Sequence, residues 1–168
     1  MEKIKVDNLS FSYPNSDKLA LDSVSLSIPE SEFVVLCGKS GCGKSTLLRH
    51  LKKSMNPYGN KFGSVCFDGE EIEEMNDRDA ASKIGYVQQN PDNQLVTDKV
   101  WHELAFGLES LGYSNSVIKR RVAEMASYFG IQTWFRKSVS ELSGGQKQLL
   151  NLASVMAMQP EVLILDEP

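Results

Sequence analysis

The first ninety residues combine alternating hydrophobic positions with short continuous apolar runs. Alternation with polar residues over 4–9 and 24–28 predicts two half-buried strands. The unbroken run from Phe33 to Cys37 predicts a strand that is buried on both faces. A helix is predicted from about Lys44 to Lys53, and further strands are predicted over 63–67 and 84–88.

After Pro91 the apolar residues recur at helical spacing. Two helices are predicted from this spacing. The apolar series of the first is Val100, Leu104, Leu108 and Leu111, and that of the second is Ile118, Val122, Met125 and Phe129. A third helix is predicted over 145–157, and a buried strand over 162–166. The order of elements predicts an α/β fold with a mainly parallel core sheet, antiparallel N-terminal strands and an inserted helical subdomain. The predicted domains are a core over 1–90, the helical subdomain over 91–141, and a return to the core over 142–168.

Composition excludes several classes of protein. The 168 residues are 41% hydrophobic and 24% charged, which is ordinary globular composition. The net charge of −4 disfavours a general nucleic-acid binder. The longest apolar runs fall far short of the roughly 20 residues that span a bilayer, and the N-terminus has no apolar segment that would direct export. Cys37, Cys42 and Cys66 form no CxxC pair, which fits a reducing cytosol.

A glycine-rich loop stands between the predicted strand 33–37 and the predicted helix. It reads Gly38-Lys39-Ser40-Gly41-Cys42-Gly43-Lys44-Ser45, followed by Thr46, and it matches G-x-x-x-x-G-K-[ST]. Its glycines permit the backbone N–H groups to converge on phosphate oxygens. Lys44 can reach the β and γ phosphates, and the Ser45 hydroxyl can ligate Mg²⁺. A merely connecting glycine turn is the alternative, and the loop alone leaves kinases, GTPases and ATPases open.

The apolar segment 162–165 ends in two carboxylates, Asp166 and Glu167. Ligands gather at the carboxyl ends of parallel strands, so Asp166 is expected near Mg²⁺ and Glu167 near the attacking water. The alternative is a solvated acidic turn, and the phosphate loop upstream favours the functional interpretation.

A second candidate anion-binding segment precedes the predicted helix 145–157. It reads Leu142-Ser143-Gly144-Gly145-Gln146. Two phosphate cradles for one nucleotide make sense when two chains pair head to tail, each completing the other's site. A simple helix start with Ser143 as N-cap is the alternative.

With these three motifs in this order, the chain resembles the ATP-binding cassette family over essentially its whole length. The resemblance implies a P-loop NTPase core that binds ATP and Mg²⁺. It also implies that Tyr13 stacks on adenine and that Gln89 links the metal site to the helical subdomain, although its neighbour Gln88 could exchange roles with it. Catalysis would rest on Glu167, Lys44 and Gln89, and Mg²⁺ on Ser45, Gln89 and Asp166. The segment Ser143-Gly144-Gly145-Gln146 would contact the nucleotide of a second, identical or paralogous ATPase chain.

Residues 87–94 and 105–107 are similar to energy-coupling factor and cobalt-type importers. That likeness implies uptake of a vitamin or metal ion, with a transmembrane coupling subunit and a substrate-capture subunit as partners. The chain would then sit peripherally on the cytoplasmic face of the membrane, without a nucleic-acid partner.

The sequence departs from the family in three places. Leu149 stands where a basic residue is usual, and Cys42 replaces a more common small residue of the loop. Neither His50 nor His102 follows an acidic strand as the family histidine does. The end of the sequence at Pro168, directly after the acidic pair, and the missing family histidine lead to the expectation of a C-terminally truncated chain with weak or no ATPase activity.

Three other functions stay open. A soluble cassette ATPase of DNA repair or chromosome organisation is disfavoured, because only 95 residues (47–141) separate Thr46 from Leu142 and they lack sustained heptads. A P-loop kinase has no use for the Leu-Ser-Gly-Gly-Gln segment. A non-hydrolysing binding module is the third alternative.

Overall fold

The computed structural model describes residues 2–16 and 18–167. The chain forms two compact units, with the division between Ala81 and Ser82. Each unit has its own sheet and is described by itself below.

The sheet of the first unit is antiparallel. It contains β1 (Glu2–Ser12), β2 (Leu21–Pro29), β3 (Asn60–Phe67) and β4 (Glu70–Glu71) in the order β2-β1-β3-β4. Alternate apolar residues of β1 point into the core, and the fully buried ones include Ile4, Val6, Leu9 and Phe11. The predicted alternating strands are therefore confirmed, and both are longer than the apolar pattern alone indicated.

The first unit contains the short helix α1 (Lys44–His50), and a second short helix, α2 (Asp77–Lys83), crosses the division after Ala81. The predicted helix over 44–53 is confirmed only as far as His50. Leu51 caps its C-terminus and Lys52 is extended, after which Lys53–Met55 form a separate 3-10 turn. The chain leaves the helix at Lys52 because its side chain turns inward to donate to the carbonyls of Ala80 and Ala81.

The predicted buried strand from Phe33 to Cys37 is wrong. Residues 33–37 adopt no regular structure, and Phe33 and Val35 are 88% and 67% exposed. A continuous apolar run becomes a buried strand only when strands flank it on both sides. Among the described residues, neither sheet contains this segment, so nothing pairs with its backbone.

The second unit contains a parallel pair of strands, β5 (Ile84–Val87) and β6 (Val162–Leu165), with Ile84 opposite Val162. Parallel strands need a long crossover, and residues 88–161 supply it. The prediction of a buried strand over 162–166 is correct in position but wrong in burial. Leu163 and Leu165 are 36% and 39% exposed, because in the described structure β6 is paired with β5 alone.

Three helices fill the crossover: α3 (Val100–Ser110), α4 (Asn115–Tyr128) and α5 (Gly144–Ala157). Their apolar faces form one core, and the predicted helical positions other than Leu111 lie in it or against it. The members include Val100, Leu104, Leu108, Ile118, Val122, Ile131, Trp134 and Leu150, with Met125 and Phe129 packed alongside. Leu111 is buried, but it is the C-cap of α3 and lies after the helix. The helical character of this segment is thus confirmed, while the domain boundaries at 90/91 and 141/142 remain predictions.

Candidate nucleotide site

The phosphate loop of the first unit runs directly into α1. The helix has no side-chain N-cap and no acidic residue in its first turn, and the loop adjoins its N-terminal end, where backbone N–H groups have no acceptor within the helix. The Lys44 ammonium folds over the same loop and donates to the carbonyls of Gly38 and Lys39, at 2.9 and 3.0 Å. Positive charge and helix N–H groups therefore meet at one place, which is suited to bind an anion.

Glycine is required at Gly43 by two observations. Its φ is +98°, in the left-handed region, and a Cβ there would lie 2.5 Å from the carbonyl oxygen of Ala20. At Gly38 a Cβ would lie 2.8 Å from Cys42 Sγ. The thiol of Cys42 thus occupies space next to Gly38 that a side chain at position 38 would need.

Tyr13 lies beside the phosphate loop in the first unit. Its hydroxyl is 3.1 Å from Thr46 Oγ1, and its ring meets Phe11 edge to face with 5.0 Å between centroids. The ring is 38% exposed, so part of its surface is open to a planar ligand. This hydroxyl contact fixes the ring relative to α1 and could not be found from the sequence.

The acidic strand end lies in the second unit. Asp166 is buried, its backbone N–H donates to the carbonyl of Val87, and the Tyr86 hydroxyl donates to its Oδ2 at 2.9 Å. Glu167 is exposed and accepts a hydrogen bond of 2.7 Å from Gln89 Nε2. The structure therefore brings three predicted residues, Gln89, Asp166 and Glu167, to one end of the β5–β6 pair.

The loop after β5 is shaped by the side chain of Gln94. Its Nε2 donates to the carbonyl of Tyr86 and its Oε1 accepts from the N–H of Gln88, both near 3.0 Å. The loop held in this way carries Gln89, whose side chain donates to Glu167. The sequence contained Gln94 within the importer-like segment, but no pattern signalled that it holds this loop.

The segment before α5 is a capping box. Ser143 Oγ accepts from the N–H of Gln146, and Gln146 Oε1 accepts from the N–H of Ser143. The helix-start interpretation of Ser143 is thus correct for its side chain. Gly144 and Gly145 are exposed, with no heavy atom within 4 Å of a Cβ built on either, so their backbone faces open space.

Both histidines lie on helices, His50 on α1 and His102 on α3. His50 is 1% exposed, its Nδ1 is 2.8 Å from the Thr46 carbonyl oxygen, and its Nε2 has no hydrogen-bond partner. Burial lowers the pKa of His50, more than the contact with Thr46 raises it. His102 lies on α3 near Glu109.

The oxygen donors suit Mg²⁺. Among residues 2–16 and 18–167, no group of three or more His, Cys, Asp and Glu side chains could hold a metal by itself. Magnesium rarely needs such a cage, because it is usually bound by one or two protein oxygens together with phosphates and waters. The buried carboxylate of Asp166, the amide oxygen of Gln89 and the hydroxyl of Ser45 are donors of that kind.

A glycine loop opening a helix, together with a parallel strand that ends in carboxylates, defines a P-loop nucleoside triphosphatase. The sequence profile of the ABC transporter family matches residues 21–168. The chain therefore belongs to the ABC transporter family.

Named relatives agree with this assignment. The cobalt import ATP-binding protein CbiO of Syntrophus aciditrophicus (strain SB) is 38% identical over 168 residues, which is 98% of this chain and 58% of that protein. The energy-coupling factor transporter ATP-binding protein EcfA1 of Ligilactobacillus salivarius (strain UCC118) is 40% identical over 164 residues, 98% of this chain and 57% of that protein. The structure of CbiO1 from Clostridium perfringens, part of the ABC transporter complex CbiONQ, matches with a TM-score of 0.83 at 32% identity and covers 100% of this chain and 66% of that one.

The chain spans little more than half the length of these two curated relatives, and 30% of a Bacillus thuringiensis relative that is 50% identical over 164 residues. In the part of the chain that the structure describes, no helix is both long enough and apolar enough to cross a membrane.

Proposed function

We propose that this chain binds Mg²⁺–ATP and belongs to the hydrolysing subunit of an importer for a vitamin or a metal ion. The observation that carries the proposal is the phosphate loop, where Lys44 and the uncapped N-terminus of α1 meet. An anion with several oxygens, such as a triphosphate, satisfies both at once.

The proposed roles follow from the donor and acceptor groups of each residue. Lys44 stabilises charge that develops on the phosphates, and the ring of Tyr13 stacks on adenine. Ser45, Gln89 and Asp166 would hold Mg²⁺, which supplies electrostatic stabilisation of the phosphate oxygens.

Glu167 orients and deprotonates the attacking water in this proposal. Its Oε2 already accepts from Gln89, which holds the side chain in place. Its other oxygen, Oε1, is therefore the one that would take the proton.

Hydrolysis in this proposal needs two ATPase chains, identical or paralogous, paired head to tail. Gly144 and Gly145 face open space at the start of α5, and Ser143 and Gln146 fix that helix start through the capping box. Such a fixed, exposed pair of glycines suits the nucleotide of a partner chain.

A transmembrane coupling subunit is the proposed partner of residues 91–141, at the cytoplasmic face of the membrane. The second unit carries an open groove of about 590 Å³ whose lining includes Val96, His102, Phe106 and Glu109. The names of the relatives CbiO and EcfA1 support an importer of the cobalt or energy-coupling factor type. The transported substrate would be chosen by the membrane and substrate-capture subunits.

Steady-state phosphate release tests the catalytic part of the proposal. We expect turnover near background from the 168-residue chain at concentrations at which it stays unpaired, because hydrolysis in this proposal needs two chains. Turnover should rise at concentrations at which chains pair, and Glu167→Gln should reduce it about 100-fold or more. Glu124→Gln, on the exposed face of α4, is the matched control and should leave it unchanged.

Turnover per chain that does not depend on chain concentration, and that Glu167→Gln abolishes, would show that hydrolysis needs no second chain. Turnover that survives Glu167→Gln would contradict the role of Glu167.

A further inference from the structure

Two side chains of α5 hold the loop that carries Gln89. Lys147 Nζ is 2.6 Å from Asp92 Oδ1, and Asn151 Nδ2 donates to the carbonyl of Pro91 at 3.2 Å. Lys147 and Asn151 are four residues apart, so they lie on one face of the helix. They engage consecutive residues of the loop, two and three positions after Gln89.

The cost of Asn151 suggests that its contact is more than packing. Asn151 is fully buried, and its Oδ1 has no hydrogen-bond partner. A buried polar atom without a partner destabilises a fold, and an apolar side chain at this position would avoid that cost. The stability of the fold therefore does not explain why an amide side chain stands at position 151. The hydrogen bond that this side chain makes is to the loop.

The Lys147–Asp92 pair is also a weak source of stability. The side chain of Asp92 is 64% exposed and that of Lys147 is 21% exposed. Ion pairs of this kind contribute little to folding, but they do restrict geometry. A loop held at two adjacent residues by one helix face has little freedom to shift relative to that helix.

The two contacts join the two functional parts of the second unit. In the loop, Gln89 donates to Glu167. On α5, Lys147 directly follows Gln146, a member of the capping box that fixes Gly144 and Gly145. The start of α5 and the amide of Gln89 are thus parts of one connected arrangement.

We infer that Lys147 and Asn151 are positioning residues, which hold the Gln89 loop on α5 so that the start of α5 and Gln89 move together. This inference rests on the proposed function, since the part that Gln89 plays in Mg²⁺–ATP binding belongs to that proposal. A partner's nucleotide at Gly144 and Gly145 would in this way influence the Gln89–Glu167 contact of the same chain.

Equilibrium binding of labelled ATP to the 168-residue chain, with Mg²⁺ and with EDTA, tests the inference. Lys147→Ala should raise the Kd for ATP in Mg²⁺ about two- to fivefold, as expected for loss of an exposed ion pair, and leave the Kd in EDTA unchanged. Gln89→Ala should act in the same direction. The double variant Asp92→Lys/Lys147→Asp should restore the wild-type ratio of the two Kd values, since it remakes the pair with reversed charges.

Lys119→Ala is the matched control, because it removes an exposed lysine of α4, and it should change neither Kd. An unchanged ratio in Lys147→Ala, with an altered ratio in Gln89→Ala, would overturn the inference and leave the proposed function intact. Equal weakening with and without Mg²⁺, not restored by the charge exchange, would show a merely structural role and would also overturn it. Failure of the wild-type chain to bind Mg²⁺–ATP would overturn the proposed function and this inference together.

Discussion

At the scale of single residues, His50 makes the stability of the first unit depend on pH. The ring is buried between Phe11 and the backbone of Thr46. Its Nε2 has no hydrogen-bond partner, so an N–H formed there by protonation would have no acceptor. Burial therefore lowers the pKa of His50 in the folded chain, while Lys61 lowers it further and Glu73 opposes that effect. The folded chain favours the neutral ring.

The sign of the pH effect follows from this lowered pKa. Below the unfolded-state pKa, about 6.5, the unfolded chain binds a proton that the folded chain resists, so stability falls as pH decreases from about 7. The slope from one proton is at most about 1.4 kcal/mol per pH unit. Thermal melts between pH 7.5 and 5.5 should show the fall in the wild type and a smaller fall in His50→Gln.

His102→Gln serves as the control, because His102 lies on the surface of α3, and it should keep the His50-dependent fall. Equal pH dependence in the wild type and in His50→Gln would contradict the account of this histidine.

Residue spacing in the sequence indicated which residues form the candidate site, but it did not indicate the hydrogen bonds among them. The glycines, Lys44 and the carboxylates were found because phosphate binding restricts which residue types can stand at fixed spacing. The bonds from Tyr13 to Thr46, from Tyr86 to Asp166 and from Gln94 to the β5 end were not found. A hydrogen bond between a hydroxyl or amide group and a residue elsewhere in the chain produces no periodic pattern in the sequence.

At the scale of elements, the packing of β5 against α5 depends on Gly85. A Cβ at this position would lie 2.6 Å from Val155 Cγ1 and 2.9 Å from Pro160 Cγ. Gly85→Ala should therefore destabilise the chain by about 1–3 kcal/mol, the usual cost of overpacking a core. Urea unfolding followed by circular dichroism measures the change.

Gly144→Ala is the matched control, because a Cβ there meets nothing within 4 Å and the backbone is helical. We expect it to stay within about 0.5 kcal/mol of the wild type. A Gly85→Ala chain as stable as the Gly144→Ala chain would show that α5 and β5 pack less closely than the structure has them.

Elements with a periodic face were predicted well, and elements that depend on distant partners were not. The helices α3, α4 and α5 each carry their own apolar stripe, so local spacing was sufficient to find them. The segment 33–37 carries no such information, because a continuous apolar run is buried only where strands flank it on both sides. The exposed side chains of Leu163 and Leu165 in β6 reflect the same dependence.

At the scale of the whole molecule, the family profile and the parallel β5–β6 pair agree with the fold class expected from the sequence. The fold class was predictable because the three motifs occur in one order along the chain. The transported substrate of the proposed function was not predictable, because no residue of an ATPase subunit needs to touch it.

The binding of labelled ATP to the 168-residue chain is the measurement that tests the central claim most directly. We expect saturable binding that is stronger in Mg²⁺ than in EDTA. Lys44→Ala should weaken it about ten- to a hundredfold, because the lysine makes charge-assisted hydrogen bonds to the phosphates. Lys5→Ala, which removes an exposed lysine of β1, should bind as the wild type does. Unchanged affinity in a folded Lys44→Ala chain would contradict the assignment of the phosphate loop, and with it the account of this protein as an ATP-binding subunit.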